Sequence, residues 1–285
     1  MNTYSKIGLI TVRNESGPLL KMIDIPKETE LMQARFFQGT LSGKEIVLAE
    51  VGMGKVPTAA GSQYLIDVHN VEILISCGSS GALAPDLQIG DVVLSERIVP
   101  HDFGETTDEK FNYLGVFDNT HSDLRHYYRQ LTADPALLKT AQEAALSIEW
   151  PKNAPTIHLG CIASGDQIIA SEKKKNWLAE TLGAMAVEME SGAMAYVAFL
   201  NDIPWLAIRA VSDKADATID FDFSEMVIYR DEKKSLGDKV RKTAESLADL
   251  AKDPKQIKDI INLGQGIKQA ANNAARVTAA VIEQL

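Results

Sequence analysis

Two stretches in the second half of the chain combine residues that can transfer protons and bind hydroxyl groups. Glu188 and Glu190 alternate with apolar residues in 186–190 (AVEME), and Arg209 lies in an apolar stretch that runs up to Asp213. Carboxyl groups can act as general acids or bases and can accept hydrogen bonds from hydroxyls. An unpaired charge in a buried strand is costly, so we predict that Arg209 pairs with a nearby glutamate.

Each of these residues also has an ordinary structural explanation. Glu188 and Glu190 could form the solvated face of a strand, because they alternate with apolar residues. Asp213 could do no more than cap the turn that follows it. The stretch 78–81 (GSSG) could be only a turn, and 164–166 (SGD) could start a helix, since Ser and Asp cap helices well. The residues taken singly leave these alternatives open.

Alternating strand-like and helix-like segments must position these groups. Apolar, β-branched stretches predict strands at 6–12, 72–77, 91–99, 156–164, 186–190 and 205–211. Residues 34–41 and 44–51 flank Ser42-Gly43, which predicts a hairpin. Helical spacing of apolar residues predicts helices at 56–69, 135–148, 171–182 and 191–200. This alternation predicts an α/β fold, a mainly parallel sheet with helices on both sides.

In such sheets ligands bind beyond the carboxyl ends of the strands. The polar residues that follow the predicted strands are therefore the candidates for a site. They are Arg13, Asn14, Glu15 and Ser16, then 78–81, 164–166, 188–190 and 209–213. We expect these groups to converge on one edge of the sheet.

The composition excludes several classes of protein. Of the 285 residues 45% are hydrophobic, which argues against a disordered chain. Lys+Arg number 29 and Asp+Glu 39, so the net charge is −10 and no nucleic-acid partner is expected. The five histidines lack the spacing of metal ligands, so we expect no metal. No other cofactor is expected either.

Cellular location is predicted from the cysteines and from the absence of targeting signals. Cys77 and Cys161 lie in apolar stretches and are expected to be buried, reduced thiols. No apolar stretch approaches the ~20 residues of a membrane span. The N-terminus lacks the pattern of a signal peptide, so we predict a cytoplasmic protein without a membrane partner.

The remaining segments bear on domain organisation. Residues 103–134 are polar and rich in turn formers, which predicts a surface excursion. In 227–285 we predict two or three helices, interrupted near Asp253-Pro254 and at Gly264-Gln265-Gly266. No linker divides the chain, so we predict a single domain over 1–285 with a helical insertion at about 227–262.

The stretches 186–190 (AVEME) and 209–216 (RAVSDKAD) resemble the purine/uridine nucleoside phosphorylase superfamily, and within it the 5′-methylthioadenosine/S-adenosylhomocysteine nucleosidases. Further motifs follow in the family's order: 52–56 (GMGKV), 78–81 (GSSG), 84–85 (AP), 90–91 (GD), 101–102 (HD) and 164–167 (SGDQ). The resemblance covers roughly residues 6–226 and resumes around 266–285. It implies a three-layer α/β/α domain with a mainly parallel, partly barrel-like mixed sheet and a helical C-terminal insertion.

The resemblance also implies cleavage of the N-glycosidic bond of a purine nucleoside, with release of adenine. Asp213 matches the residue that protonates the purine at N7, and Glu190 matches the one that holds the ribose hydroxyls. Glu15 is the candidate to activate water, and Arg209 completes the candidate catalytic residues. The candidate substrate-binding residues are Ser79, Ile168, Ile169, Met189, Glu188, Phe223, Met53 and Arg13. Among these, Phe223 matches an aromatic residue that closes over the 5′ substituent.

Departures from the family's pattern leave two points open. The water-activating glutamate is expected at Ser16 by straight counting, so either the loop shifts to bring Glu15 to the water or that base is missing. Ile168 stands where the family often has a Phe that stacks on the purine. Arg13 replaces a usually apolar residue, which keeps nucleosides with a polar or anionic 5′ group among the candidates.

The choice between hydrolysis and phosphorolysis depends on arginines around a phosphate. Phosphorylases of the superfamily usually carry one two residues before the glycine turn, where this chain has Ser76, and another near Arg13. One arginine without the other favours water. The alternatives are a phosphate-dependent phosphorylase and a catalytically silent nucleoside-binding protein. Relatives in the nucleosidase branch favour a homodimer.

Overall fold

The structure is a computed structural model that describes residues 4–117, 127–128, 130–151, 153–215 and 254–285. The strands within this part of the chain are β1 (Lys6–Val12), β2 (Asp24–Leu31), β3 (Ala34–Leu41), β4 (Lys44–Val51), β5 (Ile73–Ala82), β6 (Val92–Pro100), β7 (Gly104–Thr106), β8 (Phe111–Tyr113), β9 (Val116–Phe117), β10 (Tyr127–Tyr128), β11 (Leu131–Thr132), β12 (Ile157–Ser164), β13 (Ala184–Glu188) and β14 (Trp205–Asp213). The helices are α1 (Gly17–Leu20), α2 (Lys55–His69), α3 (Pro135–Leu146), α4 (Glu172–Leu182), α5 (Ser191–Leu200) and α6 (Pro254–Gln284).

Five strands close into a barrel-like ring. β14 pairs with β5 in parallel and with β6 in antiparallel orientation, while β12 pairs in parallel with β6 and β13. The antiparallel pair β13–β5 completes the ring. From β5 the sheet continues through β1 and β4 to the hairpin strands β3 and β2. The predicted mixed, partly barrel-like sheet is confirmed.

Helices cover both faces of the sheet. α2 and α5 pack over one apolar core that includes Leu65, Met194 and Ala198. α3 and α6 pack over the other, where α6 presents Ala270, Ala274 and other small or β-branched residues. This spacing gives α6 one continuous apolar stripe, as expected for a helix that packs on a sheet.

The local pattern predicted several elements at the right place. The hairpin of β3 and β4 and the helix α5 have the predicted bounds. The strand β2, with charged residues and Pro26, was not predicted; it is an edge strand that pairs only with β3. Both cysteines are buried and free, and burial raises the pKa of each thiol to about 11.

Two boundaries next to the candidate site residues were predicted wrongly. The stretch 78–81 is not a turn but the end of β5, because its pairing with β14 continues as far as Gly81 opposite Asp213. The strand predicted at 186–190 ends two residues earlier, and Glu190 instead precedes the first residue of α5.

The helix break predicted at 264–266 is also wrong. α6 is continuous there, because the absence of a side chain at Gly266 lets the helix pack directly against β14. A Cβ atom on Gly266 would overlap the carbonyl oxygen of Ser212. The other predicted break is consistent with the start of α6 at Pro254. Residues 227–253 of the predicted insertion lie outside the described part of the chain.

The described residues contain no helix long and apolar enough to cross a membrane.

Candidate active site

One cavity opens at the carboxyl ends of the central strands, where the site was predicted. Its walls come from the β1–α1 loop, the β4–α2 turn, the ends of β5, β13 and β14, the segment after β12, and α6. The lining residues are Val12, Asn14, Glu15, Met53, Ser79, Ser80, Gly81, Gln167, Ile168, Ile169, Ala170, Val187, Glu188, Met189, Glu190, Ser212, Asp213, Ala215, Leu263 and Ile267.

Most of the predicted site residues meet in this cavity. The structure places Glu15, Met53, Ser79, Ile168, Ile169, Glu188, Met189, Glu190 and Asp213 on its walls. Arg209 lies directly behind the wall, where it is buried and contacts Glu188 and Glu190. Arg13 is not among the lining residues. Phe223 lies outside the described residues.

The ion pair predicted for Arg209 is present. Its Nη2 lies 2.6 Å from Glu188 Oε2, and its Nη1 lies 3.5 Å from Glu190 Oε2. Glu188 Oε2 also accepts hydrogen bonds from the amides of Glu190 and Ser191. Burial disfavours the charged guanidinium, but the surrounding Glu188 and Glu190 carboxylates raise the pKa of Arg209 above its ordinary value. Both glutamates are therefore buried beside one cation, and neither forms the solvated face of a strand.

Glu190 occupies the junction between this cluster and helix α2. Its Oε1 accepts a hydrogen bond of 3.0 Å from the amide of Gly54, which precedes the first residue of α2. Burial raises the pKa of Glu190 to about 7; Arg209 opposes the shift and Glu188 adds to it. The side chain is therefore poised to exist in either protonation state near neutral pH.

Glu15 reaches the cavity from the β1–α1 loop. Its Oε2 accepts a hydrogen bond of 2.7 Å from the Ser79 amide, and its Oε1 accepts one from the Ser79 hydroxyl. Ser16 faces the opposite way and donates its hydroxyl hydrogen to the buried carboxylate of Glu50. Of the two positions considered for the water-activating base, the one that faces the cavity is Glu15.

Arg13 is held on the far side of the same loop. Its Nε lies 3.3 Å from Glu50 Oε1, and Arg35 makes a second, shorter ion pair of 2.7 Å with that oxygen. Glu50 is 2% exposed, so two arginines compensate a buried charge there. The residue expected near a phosphate or a 5′ group is instead engaged with Glu50.

Asp213 lies at the end of β14. Its Oδ1 accepts a hydrogen bond of 2.8 Å from the Ala215 amide, and its Oδ2 lies 2.7 Å from the Ser212 hydroxyl. No described Lys or Arg forms an ion pair with it. The amide contact is that of a turn cap, as the structural explanation predicted, yet the carboxyl group also lines the cavity.

Helix α6 contributes two wall residues that were not predicted. Leu263 and Ile267 lie one helical turn apart on α6 and line the cavity. Their i, i+4 spacing was a detectable signal of a shared helix face, but the expected break at 264–266 separated them. Gly266 lies between them and packs on Ser212, the neighbour of Asp213.

The fold is that of a known superfamily. The profile described as "Phosphorylase superfamily" matches residues 10–253, and the chain belongs to this family. One similar curated protein is a 5′-methylthioadenosine/S-adenosylhomocysteine nucleosidase of Mycobacterium bovis. It is 36% identical over 233 residues, which cover 78% of this chain and 90% of the relative.

Solved structures show the same fold. The nucleosidase of Neisseria meningitidis, in complex with methylthio-immucillin-A, superposes with a TM-score of 0.74 at 24% identity, over 99% of this chain and 100% of that chain. The futalosine hydrolase of Helicobacter pylori superposes with a TM-score of 0.73 at 22% identity, over 99% of this chain and 98% of that chain. The shared architecture therefore hosts more than one nucleoside substrate.

Proposed function

We propose that this protein hydrolyses the N-glycosidic bond of a purine nucleoside, with 5′-methylthioadenosine or S-adenosylhomocysteine as substrate and adenine as product. One observation carries the proposal: a single cavity is lined by the carboxyl groups of Asp213, Glu15 and Glu190. Cleavage of this bond passes through a cationic ribosyl transition state and needs a proton for the leaving base. Several carboxyl groups on one cavity wall can meet both requirements.

Asp213 is the proposed general acid. It is held by the Ala215 amide and lies beside the Ser212 hydroxyl at the end of β14, so its carboxyl group has a defined orientation. A proton given to N7 of the purine removes electron density from the glycosidic bond and makes the base a better leaving group. Ile168 and Ile169 form an apolar wall next to it, although an aliphatic Ile168 supplies no aromatic stacking.

Glu190 is the proposed ligand of the ribose hydroxyls, with Glu188 behind it and Met53 and Met189 as apolar neighbours on the cavity wall. The negative charge of the two glutamates favours a sugar that becomes cationic in the transition state. Arg209 keeps these anions in place through its 2.6 Å and 3.5 Å contacts. It acts from behind the wall.

Glu15 is the proposed base that activates water. Its carboxylate lies on the cavity wall and is oriented by two hydrogen bonds from Ser79. Arg209 donates to the Ser79 carbonyl at 3.3 Å, which links the Glu15 and Glu190 regions. A water held by Glu15 would attack the anomeric carbon from the face opposite the departing base.

Hydrolysis is favoured over phosphorolysis by the contacts of two residues. Ser76, at the position where phosphorylases usually have an arginine, accepts a 2.7 Å hydrogen bond from Arg209 Nη2. Arg13, near the second usual arginine, is paired with Glu50. The Glu15 carboxylate lies on the wall where a phosphate would have to approach, and like charges repel.

The deciding experiment incubates the protein with a panel of purine nucleosides, with and without phosphate, and detects the free base chromatographically. We expect adenine from methylthioadenosine in phosphate-free buffer. Release that depends on phosphate and yields ribose 1-phosphate would identify a phosphorylase instead. Tight binding of adenosine analogues without base release would identify a silent binding protein. Futalosine in the panel tests whether this chain shares the substrate named for the Helicobacter pylori neighbour.

Several wider properties form part of the same proposal. A homodimer is supported by exposed apolar residues on α2 and α5, with Val56 77%, Val68 53% and Leu200 50% exposed. Light scattering coupled to size exclusion tests it, and a monomer would contradict it. Two buried, reduced cysteines support a cytoplasmic location.

We also propose a single domain over residues 1–285, and a role in methionine salvage, since methylthioadenosine carries the sulfur of methionine. Phe223 is retained in the proposal as the residue that closes over the 5′ substituent.

A further inference from the structure

The amide that holds Glu190 belongs to an unusual helix start. Gly54 precedes the first residue of α2 and has no side chain, so the helix lacks a cap of its own. Two successive amides of this turn are instead bound by carboxylates from other elements: the Gly54 amide by Glu190 and the Lys55 amide by Asp166. One carboxylate lines the cavity and the other does not.

Asp166 is itself fixed from two sides. Its Oδ1 accepts a 2.7 Å hydrogen bond from the Lys55 amide, and its own amide donates to Asp102 Oδ2 at 2.8 Å. The Lys55 ammonium lies 2.8 Å from both oxygens of Asp102 and 3.9 Å from Asp166 Oδ2. These three residues, which we call the clamp, connect the segments that follow β4, β6 and β12.

The charges of the clamp favour one arrangement. Lys55 supplies one cation to two carboxylates, and Asp102 is largely covered, with 10% of its side chain exposed. Burial alone would raise the pKa of Asp102, but the Lys55 ammonium and the Asp166 amide lower it below its ordinary value. Asp102 is therefore charged at neutral pH.

The backbone between the clamp and Glu190 has little freedom. Gly54 has a φ of +94°, a region that favours glycine, and a Cβ there would lie 2.8 Å from Asp166 Oδ1. Asp166 accepts from the Gly54–Lys55 peptide, and Glu190 accepts from the adjacent Met53–Gly54 peptide. The two peptides share the Gly54 Cα atom, so a change in the Gly54 backbone angles would disturb this pair of hydrogen bonds.

We propose that Asp166, supported by Lys55 and Asp102, is a positioning residue that aims the Gly54 amide at Glu190 and so determines how firmly the site holds ribose. This inference rests on the proposed function only in assigning ribose binding to Glu190. Asp166 does not line the cavity, so it acts through the turn.

The test compares Asp166→Ala with Asp166→Asn and with a matched control. In the control, Asp134→Ala, the removed carboxylate also caps a helix: it accepts 2.8 Å from the Leu137 amide at the start of α3, and it is not among the cavity-lining residues. The measurements are KM and kcat for methylthioadenosine, and the Kd of its 7-deaza analogue, whose carbon at position 7 cannot accept a proton.

We expect Asp166→Ala to raise both KM and Kd about tenfold, the effect of losing one hydrogen bond to a charged group, with a smaller change in kcat. Asp166→Asn retains an oxygen that can accept from the Lys55 amide, so we expect it to stay within about threefold of the parent. Asp134→Ala should leave KM and Kd unchanged. The inference would be overturned if Asp166→Ala and Asp134→Ala had equal effects on KM and Kd, or if Asp166→Ala had none.

A double variant decides whether Asp166 acts through Glu190. If it does, adding Asp166→Ala to Glu190→Ala, which removes the oxygen that accepts from the Gly54 amide, raises KM and Kd much less than adding it to the parent. Independent, multiplying effects would overturn the inference. If the parent binds the 7-deaza analogue but releases no base from any nucleoside, the proposed function fails while the clamp is still tested by Kd.

Discussion

Two groups of carboxyl residues on the cavity wall, which we call the ribose end and the base end after their proposed roles, have opposite electrostatic surroundings. At the ribose end, formed by Glu188, Glu190 and Arg209, two carboxylates surround one buried guanidinium and a helix amide holds the outer one. At the base end, Asp213 has a hydroxyl and an amide beside it and no described cation. Carboxyl groups that line the same cavity therefore need not have the same role.

A nearby cation stabilises the charged form of a carboxyl group. In the proposed mechanism, the ribose end faces a developing positive charge and the base end delivers a proton to the leaving base. Burial and the neighbouring Glu188 nevertheless outweigh the cation at Glu190 and raise its pKa to about 7. Four variants test this contrast.

The largest effect is expected at the base end. Asp213→Asn removes the transferable proton but keeps the shape, so we expect kcat to fall by about 10²–10⁴ with little change in KM. Steady-state release of adenine measures it. Release at the parent rate would show that Asp213 is not the general acid.

Arg209→Met tests the ribose end by removing its cation. Glu188 would be left as a buried, uncompensated charge, and we expect the free energy of unfolding to fall by about 3–5 kcal/mol. Urea denaturation measures it, with exposed Lys139→Met as the control. A loss below about 1 kcal/mol would mean that Glu188 is neutral or solvated in the folded protein.

We expect Glu190→Gln to bind substrate more weakly than the parent but to be more stable in the absence of ligand. The folded pKa of about 7 exceeds the ordinary value of 4.5, so the parent loses stability as pH rises from 4.5 to 7, by about 3 kcal/mol at most. The variant should lack this loss and be the more stable protein at pH 8, while its KM is raised. Thermal unfolding from pH 4.5 to 8 checks the sign, with exposed Glu172→Gln as the control.

The smallest effect is expected from Ile168→Phe. Ile168 is 46% exposed and lines the cavity, and an aromatic ring there would add a face for the purine worth about 0.5–1.5 kcal/mol. We expect KM to fall two- to tenfold with kcat almost unchanged. A higher KM would indicate that the purine does not lie against this wall.

Much of the fold follows from local pattern. The strand Lys6–Val12, the hairpin strands around Ser42-Gly43 and the helix Ser191–Leu200 were all predicted with their observed bounds, because each has one strong periodicity and clear ends. The errors occur where tertiary contact overrides a local signal. Residues 78–81 look like a turn but pair with β14, and 264–266 look like a helix break but lie against Ser212.

The site residues also divide into those that the sequence pattern identifies and those that only tertiary contacts reveal. Glu188, Glu190, Arg209 and Asp213 could be chosen from sequence because charged residues next to apolar strands are conspicuous. Leu263 and Ile267 could not, since apolar residues on an amphipathic helix give no sign of which cavity they border. Asp166 looks like an ordinary helix-start residue, and only its contact with the Lys55 amide, more than 100 residues away in sequence, gives it a further role.

By itself the sequence determined which carboxyl groups follow which strand. It also predicted that these groups meet at one edge of a mainly parallel sheet. Only the tertiary structure decided between Glu15 and Ser16. In the folded loop Glu15 contacts Ser79 and Ser16 binds Glu50, and a shift of the loop by one residue would exchange the two side chains. It also showed that Arg13 forms an ion pair with the buried carboxylate of Glu50. Both outcomes depend on partners distant in sequence, and such long-range charge pairing has no local periodicity to reveal it.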